Sequence, residues 1–578
     1  MNVTNVSNAL GAFTYAYVDT TSRLSEVTYP SGTGLSTSYG YFPSTDPQDF
    51  ERLETIQNMN GSTQLSKFSY TYNPVGTIAT WTQQADSSTA VVNTLSYDGA
   101  DQLINAVQSG GGSAGNAYHY DPAGNRLAEV TASSTTAGQF NNLNQLTGLS
   151  SSTTSTTVAG NTSAAVSSVT VNAVPATITS STNFTANVPL PNGTNVVSVV
   201  AQPSGGTNSV TTKRYQIVNS GTAPTTLTYD ANGNTLTDEN GYSYTWDALN
   251  RLAKITYPSG ASSLFAYDGL SRRISIIEKS SSGTVTSTKN YLWIGQEIAE
   301  ERDGSNAVTK RFFPQGEQQS GTNYYYTFDH QKSVRELCDS SGNIKTQYSY
   351  DPYGRTTTNH LSGSLDATKQ YDGYYIHPAS GLALTRYRAY DVNTGRWLGR
   401  DPLAEDVGPN LYEYADDDPT DETDPLGLAP SPEGHHIVPR ALWKDAPDTI
   451  KKVFDDIKNR LADPNYNQHN GKAYNGVNEN TYRKAVTEKL EDFLKRLGKK
   501  CISDLTPEEA QQFASEVRAT SSGPIAEYNA GVAAEMAAAT GEAAAGGTAA
   551  AAGETTAAEG GGMTVWDAIM DIIIFGPK

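Results

Sequence analysis

Tyr120-Asp121-Pro122-Ala123-Gly124-Asn125-Arg126-Leu127 is one copy of a pattern that returns along most of the chain. It recurs as Tyr97-Asp98-Gly99-Ala100-Asp101-Gln102-Leu103, Tyr229-Asp230-Ala231-Asn232-Gly233-Asn234 and Trp246-Asp247-Ala248-Leu249-Asn250-Arg251-Leu252. Tyr267-Asp268-Gly269-Leu270-Ser271-Arg272-Arg273 follows, with degenerate copies at Phe328-Asp329 and Tyr350-Asp351-Pro352-Tyr353-Gly354-Arg355. Each copy reads as a hairpin. An alternating run such as Tyr242-Ser243-Tyr244-Thr245-Trp246 puts aromatics on one strand face. Asp then caps a turn in which Gly or Asn accepts positive φ, and Arg-Leu opens the return strand. A single hairpin of this kind cannot bury its aromatic face, so successive units are expected to pair into one long sheet.

Composition agrees with that expectation. Tyrosine is in excess, 34 against 14 Phe, and 51 Gly accompany it, as many short strands and turns require. With 578 residues, more than one structural unit is expected. The net charge of −20 is uneven: residues 1–432 carry 24 Lys/Arg against 39 Asp/Glu, while 433–530 carry 15 of each. The acidic part is unsuited to nucleic acid, whereas a neutral, Lys-dense segment can still hold phosphate through a local patch and a metal. Cys338 and Cys501 give no disulfide framework. Residues 1–20 lack a basic start followed by an apolar run, so no secretory signal is visible, and they already read as repeat material of a longer chain. Ile569–Phe575 is too short an apolar run to span a bilayer, so no stable membrane insertion is expected.

Residues 151–220 break the repeat. A Ser/Thr linker, Ser150–Thr157, leads into alternating runs at Val169–Ala176, Asn183–Leu190 and Asn192–Ala201, with a hairpin-type connection expected over Pro189–Asn195. The segment resembles a small immunoglobulin-like or glucodextranase-B-like β-domain, serving either as a spacer or in surface or glycan attachment. After Ala429 the pattern turns helical. Ile450, Val453, Phe454, Ile457 and Leu461 form one apolar stripe, and Val486, Leu490, Phe493, Leu494 and Leu497 a second. Thr506-Pro507-Glu508-Glu509 reads as the N-cap and first turn of a further helix. Residues 532–562 are Ala/Gly-rich, equally compatible with helix and disorder.

The Tyr-Asp repeats resemble the YD/RHS family, over about residues 1–428 apart from the insertion. The resemblance implies a mainly β fold: a spiralling YD-repeat β-hairpin shell (1–150 and 221–380) with an inserted β-sandwich (151–220). The shell would enclose a cargo. Gly395-Arg396-Trp397-Leu398-Gly399-Arg400-Asp401-Pro402, Asn410-Leu411-Tyr412-Glu413-Tyr414 and Asp424-Pro425-Leu426-Gly427-Leu428 match the core signature of that family, placed at 381–428. There it marks self-cleavage after the final Leu, here the Leu428–Ala429 bond. The implied chemistry resembles aspartic proteolysis. If Asp401 and Asp424 meet, like charges keep one carboxyl protonated, so that one activates water while the other polarises the carbonyl. Arg400 would stabilise or orient the pair. Asp416, Asp417, Asp418 and Asp421 are further carboxylates close by in sequence.

Gly434-His435-His436-Ile437-Val438-Pro439-Arg440 resembles the opening of HNH/endonuclease VII-type (His-Me finger) nuclease toxins. This implies a mainly helical α+β effector over 429–530, with the 531–578 tail beyond it. One divalent metal ion (Mg, Mn, Ni or Zn) is implied there, and none for the shell. By position His435 matches a metal ligand and His436 the general base, since a neutral imidazole can take a proton from water near pH 7. His469 and Asn470 are the candidates for the third element, with Asn475, Asn478, Asn480 and Lys484 as alternatives. Lys451-Lys452, Arg483-Lys484 and Lys495-Arg496 with Lys499-Lys500 either contact phosphates or form solvated helix faces. The resemblance further implies nucleic acid as substrate, a cognate immunity protein, a secretion or delivery component, and a secreted or cell-surface location. A reading of another class is a cell-surface YD-repeat adhesion or carbohydrate-binding protein without enzymatic cargo.

Overall fold

The computed structural model describes residues 2–428, apart from 20, 22, 44–51, 75, 111–114, 132, 154, 172–173, 191–192, 205–210, 220–224 and 405–407. Beyond them it describes 434–436, 460–462, 473–474, 477–518, 520 and 525. The chain divides into two compact units, residues 1–430 and 431–577.

The first unit is mainly β. Two 14-stranded antiparallel sheets follow the chain strand by strand. One runs from Asn5–Asn8 to Leu146–Ser152 and closes with Thr225–Thr226; the other runs from Thr228–Tyr229 to Thr356–His360. The meander is thus two sheets rather than one, and the break between them is the single residue Leu227. The inserted segment leaves the order intact, because Leu149 pairs with Thr225 across it.

The turn chemistry is the same in every well-formed repeat. The Oδ1 of Asp121 accepts the amides of Ala123 and Asn125, and that of Asp247 accepts those of Leu249 and Arg251. Asp268 and Asp351 do likewise. The third residue after Asp takes positive φ, +75° at Gly124 and +59° at Asn250. The other carboxylate oxygen is taken by the fourth side chain, as in Arg251 Nε to Asp247 (2.7 Å) or Asn125 Nδ2 to Asp121 (2.9 Å).

The tyrosine before the turn-capping Asp or Asn reaches back one repeat. Tyr120 Oη donates to the Leu103 carbonyl (2.9 Å), Tyr267 to Leu252 (3.0 Å), Tyr72 to Leu53 (2.7 Å) and Tyr350 to Val334 (2.7 Å). A register shift falls just before the aromatic at Tyr97, Tyr120, Trp246 and Tyr267. Phenylalanine has no donor for this carbonyl, which accounts for the excess of tyrosine.

The insertion forms a sandwich of a three-stranded sheet (Ser155–Asn161, Thr177–Ile178, Asn183–Pro189) and a four-stranded one (Val166–Val171, Val174–Pro175, Gly193–Pro203, Thr211–Asn219). Val169, Val171, Phe184, Val188 and Val197 fill its core. The expected hairpin over Pro189–Asn195 is not one: the strands on either side belong to different sheets, and Leu190 is buried in the core.

After His360 the chain leaves the sheets and packs against both. Tyr97 Oη donates to Asp421 (3.0 Å), Tyr412 Oη to the Gly233 carbonyl (2.7 Å), and Arg396 Nη2 to the Asn144 carbonyl (2.6 Å). A small four-stranded sheet (Tyr375–Ile376, Ala383–Leu384, Ala389–Asp391, Arg396–Trp397) carries this segment. Its Tyr374, Tyr390, Trp397 and Tyr414 share one core with Phe68, Tyr70 and Trp81 of the first sheet and Tyr326 and Leu337 of the second.

In the second unit the helices Glu479–Leu497 and Pro507–Arg518 pack through Phe493 and Phe513, with ring centroids 5.2 Å apart. Val486, Leu490, Phe493 and Leu494 are buried as their spacing predicts, and Leu497 is exposed at the helix end. Thr506 and Glu509 form a reciprocal cap, Glu509 N–H to Thr506 Oγ1 and Thr506 N–H to Glu509 Oε2. Leu461, expected on a helix, lies instead in the strand Arg460–Ala462. The rest of that expected stripe and the 532–562 tail lie outside the described residues.

Removing one tyrosine hydroxyl tests the repeat-to-repeat bond. Tyr267→Phe leaves the Leu252 carbonyl without its donor while keeping the ring beside Arg251, whose guanidinium lies 4.8 Å from its centroid. The expected loss is about 1 kcal/mol, read as a lower urea midpoint of the β unit; an unchanged midpoint sinks the assignment.

Candidate functional site: two carboxylates on one arginine

The site begins with a tight turn. Between Ala383–Leu384 and Ala389–Asp391, the Thr385 Oγ1–H donates to the Arg388 carbonyl (2.9 Å) and Thr385 Oγ1 accepts the Arg388 amide (3.2 Å). Arg388 therefore opens a strand, and its guanidinium lies 4.3 Å from the ring centroid of Trp397. From there one nitrogen, Nη2, reaches both Asp401 Oδ2 (2.7 Å) and Asp424 Oδ2 (2.8 Å). Its Nε donates to the Gly427 carbonyl (2.7 Å). The three side chains are 2–4 % exposed, so the charges meet away from water.

The Asp424–Leu428 segment is a variant of the repeat turn, in which Asp caps the third and fourth following amides instead of the second and fourth. Asp424 Oδ1 accepts the amides of Gly427 (2.8 Å) and Leu428 (2.9 Å). The Tyr387 amide holds the Leu426 carbonyl (3.1 Å). Gly427 has φ +74°, and a Cβ there would come within 2.3 Å of Thr385 Oγ1 and 3.1 Å of the Arg388 backbone nitrogen. No other residue fits. Asp401 is held separately, its amide on the Leu411 carbonyl (2.9 Å) and its Oδ1 on the Leu403 amide (2.8 Å).

Burial raises the Asp424 carboxyl above its ordinary value, against the lowering effect of the Arg388 charge and the two amides. Two ionised carboxylates beside one guanidinium would leave a net buried negative charge. One shared proton would remove it, leaving an ionised and a neutral carboxyl on the same guanidinium. That is the pairing acid–base hydrolysis needs.

The arginine on this pair is Arg388, which sequence reading passed over. Arg400 is exposed, and its Cδ lies against Gly233 beside the Tyr412 hydroxyl. The signal missed was the tertiary approach of residues 385–388 to 424–428. The other carboxylates nearby in sequence are engaged elsewhere: Asp417 accepts Gln102 Nε2 (2.8 Å), Asp421 accepts the Ile78 amide and Tyr97, and Asp418 accepts Thr420. Leu428 is the last described residue before 434, so Ala429 lies outside the described residues.

In the second unit, Gly434–His436 forms a strand antiparallel to Arg460–Ala462, with His435 opposite Leu461 and His436 opposite Arg460. His469, Asn470 and Asn475 lie outside the described residues. Asn478 falls in the two-residue strand Val477–Asn478, Asn480 and Lys484 in the helix Glu479–Leu497. Among the described residues no group of three His, Cys, Asp or Glu could hold a metal ion, and no helix is long and apolar enough to cross a membrane.

Burial also pushes Glu413 up to about 9 and Asp417 up to about 8, with Arg396 opposing both shifts. A carboxyl whose folded value is raised binds a proton that the unfolded chain releases near pH 4. Its stabilising contribution is therefore present below about pH 4 and lost as pH rises to about 8. The urea midpoint should fall between pH 5 and pH 8.5, and fall less in Asp417→Asn; equal falls in both chains refute the shift.

Residues 313–420 match the family model described as Teneurin YD-shell, and residues 229–262 match the RHS Repeat. The chain is similar to the tRNA3(Ser)-specific nuclease WapA of Bacillus spizizenii, 30% identical over 35% of this chain and 9% of that protein. It is similar to the probable deoxyribonuclease RhsB of Dickeya dadantii, 26% identical over 38% of this chain and 16% of the relative. It is also similar to the toxin protein Tse5 of Pseudomonas aeruginosa, 33% identical over 18% of this chain and 8% of that protein. The chain thus spans less than a fifth of the length of these relatives. A Tc holotoxin pore of Photorhabdus luminescens aligns over 72% of this chain and 19% of its own, with TM-score 0.46 and 19% identity. These sequence matches place an RHS repeat at residues 229–262 and a likeness to a YD-shell at residues 313–420, both within the β-rich unit.

Proposed function

We propose that this chain is part of an RHS-type polymorphic toxin that cuts itself after Leu428 and so releases a nuclease effector. The observation that carries the reading is the meeting of Asp401 and Asp424 on Arg388 Nη2, with Asp424 bonded to the Leu428 amide. The ionised carboxylate takes a proton from water, whose oxygen adds to the Leu428 carbonyl carbon. The neutral carboxyl gives its proton to the carbonyl oxygen. Collapse of the tetrahedral intermediate breaks the C–N bond, and the Ala429 nitrogen leaves with a proton. Arg388 fixes both carboxylates and, through the Gly427 carbonyl, the peptide that precedes the bond.

The released part, from residue 429, acts on nucleic acid. Relatives named as nucleases and as a toxin favour this over an adhesion role. His436 is the proposed general base, with His435, His469 and Asn470 completing the site. Imidazole and amide donors suit a Mn, Ni, Zn or Mg ion, which would supply charge stabilisation at the phosphate. On this reading the β unit sequesters the effector, a cognate immunity protein protects the producer, and a secretion component delivers the toxin.

Denaturing gels of the purified full chain test the cleavage. Two fragments are expected, the smaller beginning at Ala429 by mass spectrometry, with Asp401→Asn and Asp424→Asn each leaving the chain whole. An unmodified chain that stays intact overturns the cleavage.

The nuclease is tested by incubating the same preparation with tRNA and duplex DNA in Mg, Mn, Ni or Zn. Cleavage of one substrate, lost with a chelator or in His436→Ala, is expected. Inactivity of the unmodified protein with all four ions overturns the effector assignment.

A further inference from the structure

A third buried carboxyl is tied to the cleavage site by a chain of hydrogen bonds that the reaction as described does not use. The Asp424 amide donates to Tyr374 Oη (3.1 Å), Tyr374 Oη and Tyr414 Oη are 3.1 Å apart, and the Tyr414 hydroxyl donates to Asp372 Oδ2. The order of donors is fixed. Tyr414 spends its proton on Asp372, so its oxygen accepts from Tyr374, whose oxygen in turn accepts the Asp424 amide. Asp424 and Tyr414 are essentially inaccessible, and Tyr374 and Asp372 are buried.

Asp372 is an expensive residue in this place. It lies in the turn Tyr371–Gly373 with φ +49°, a region that non-glycine residues seldom occupy. Among the described residues it makes no ion pair, since the nearby Arg335 is bonded to Asp329 (3.3 Å). Its partners are hydroxyls: Tyr414, and Ser333, whose Oγ accepts the Asp372 amide (3.0 Å) and donates to Oδ1 (3.3 Å). The titratable groups facing it are the carboxyls of Asp329 and Asp424 and the phenols of Tyr350, Tyr371, Tyr374, Tyr390 and Tyr414. A strained, cation-free buried carboxyl is kept only where the surrounding structure over-determines it, and such strain concentrates at functional sites.

We infer that Asp372 is a positioning residue for self-cleavage, acting through Tyr414 and Tyr374 to fix the Asp424 amide and so the register of the Asp424–Leu428 turn on Arg388. The inference rests on the cleavage reading above. Asp424 is held from both sides: Arg388 grips its carboxylate and the Gly427 carbonyl, and the tyrosine chain grips its amide. Losing the second grip lets the turn shift while the first remains.

Labelled full-length chain made by cell-free translation and chased into buffers from pH 5.5 to 9 gives the cleavage rate on denaturing gels. Tyr414→Phe, which keeps the ring and removes the relay proton, should slow cleavage about tenfold, the weight of one positioning bond of roughly 1.4 kcal/mol. Asp372→Asn, whose amide oxygen still accepts the Tyr414 hydroxyl, should restore most of the rate that Asp372→Ala loses, a rescue that looser packing alone does not produce. If the unmodified chain stays whole, the cleavage reading itself fails. Should it cut, and Asp424→Asn stop it, while Tyr414→Phe and Asp372→Ala keep the normal rate, only the positioning role is overturned. If Asp372→Ala does not fold, the Tyr414→Phe rate decides.

Discussion

Most repeats of the β unit are joined to the one before by a tyrosine hydroxyl on a backbone carbonyl. The sheets alone would set neighbouring strands side by side, but the register shift before each aromatic turns its ring back over the previous turn. The hydroxyl of Tyr120 then closes on Leu103, that of Tyr267 on Leu252. The bond is small in net energy but repeated, and leaving the carbonyl bare would cost more than the bond itself gains. It requires an aromatic ring with a donor at its tip, so tyrosine outnumbers phenylalanine where burial alone would have favoured the reverse.

That rule shapes the core. Where the segment after His360 meets both sheets, Tyr70, Tyr326, Tyr353, Tyr371, Tyr390 and Tyr414 are fully buried, and most of their hydroxyls need partners. A core so rich in polar tips can hold buried carboxylates, because hydroxyls and guanidinium groups are within reach. Asp424, Asp401 and Asp372 exist in this environment. The device that builds the repeats, an Asp capping the amides that follow it, is used in varied form at Asp424 to hold Gly427 and Leu428. One local device therefore serves both architecture and the proposed chemistry.

The second unit follows different physics. Its described helices depend on apolar stripes and an ordinary Thr506–Glu509 cap, and Phe493 and Phe513 close their contact. Such patterns are local, so the helix Glu479–Leu497 and the start at Pro507 were both legible from spacing and capping residues. Leu461 was misplaced for the same reason: an i, i+3, i+4 match carries no information about the strand Gly434–His436 that it pairs with.

By itself the sequence determined the hairpin unit, its Asp turn and the β class, because periodicity and turn chemistry act within a few residues. It also marked Asp401 and Asp424 through the residues around them. It could not decide which cation would join them: Arg400 is the neighbour in sequence, yet its side chain is exposed, while Arg388 lies under the Asp424 turn. Nor could it show that the strands Asn183–Pro189 and Gly193–Pro203 lie in different sheets, or that Asp372 is linked to Asp424 through two tyrosines. Those facts depend on contacts between residues far apart along the chain, and only the packing of the segment after His360 against both sheets brings them together.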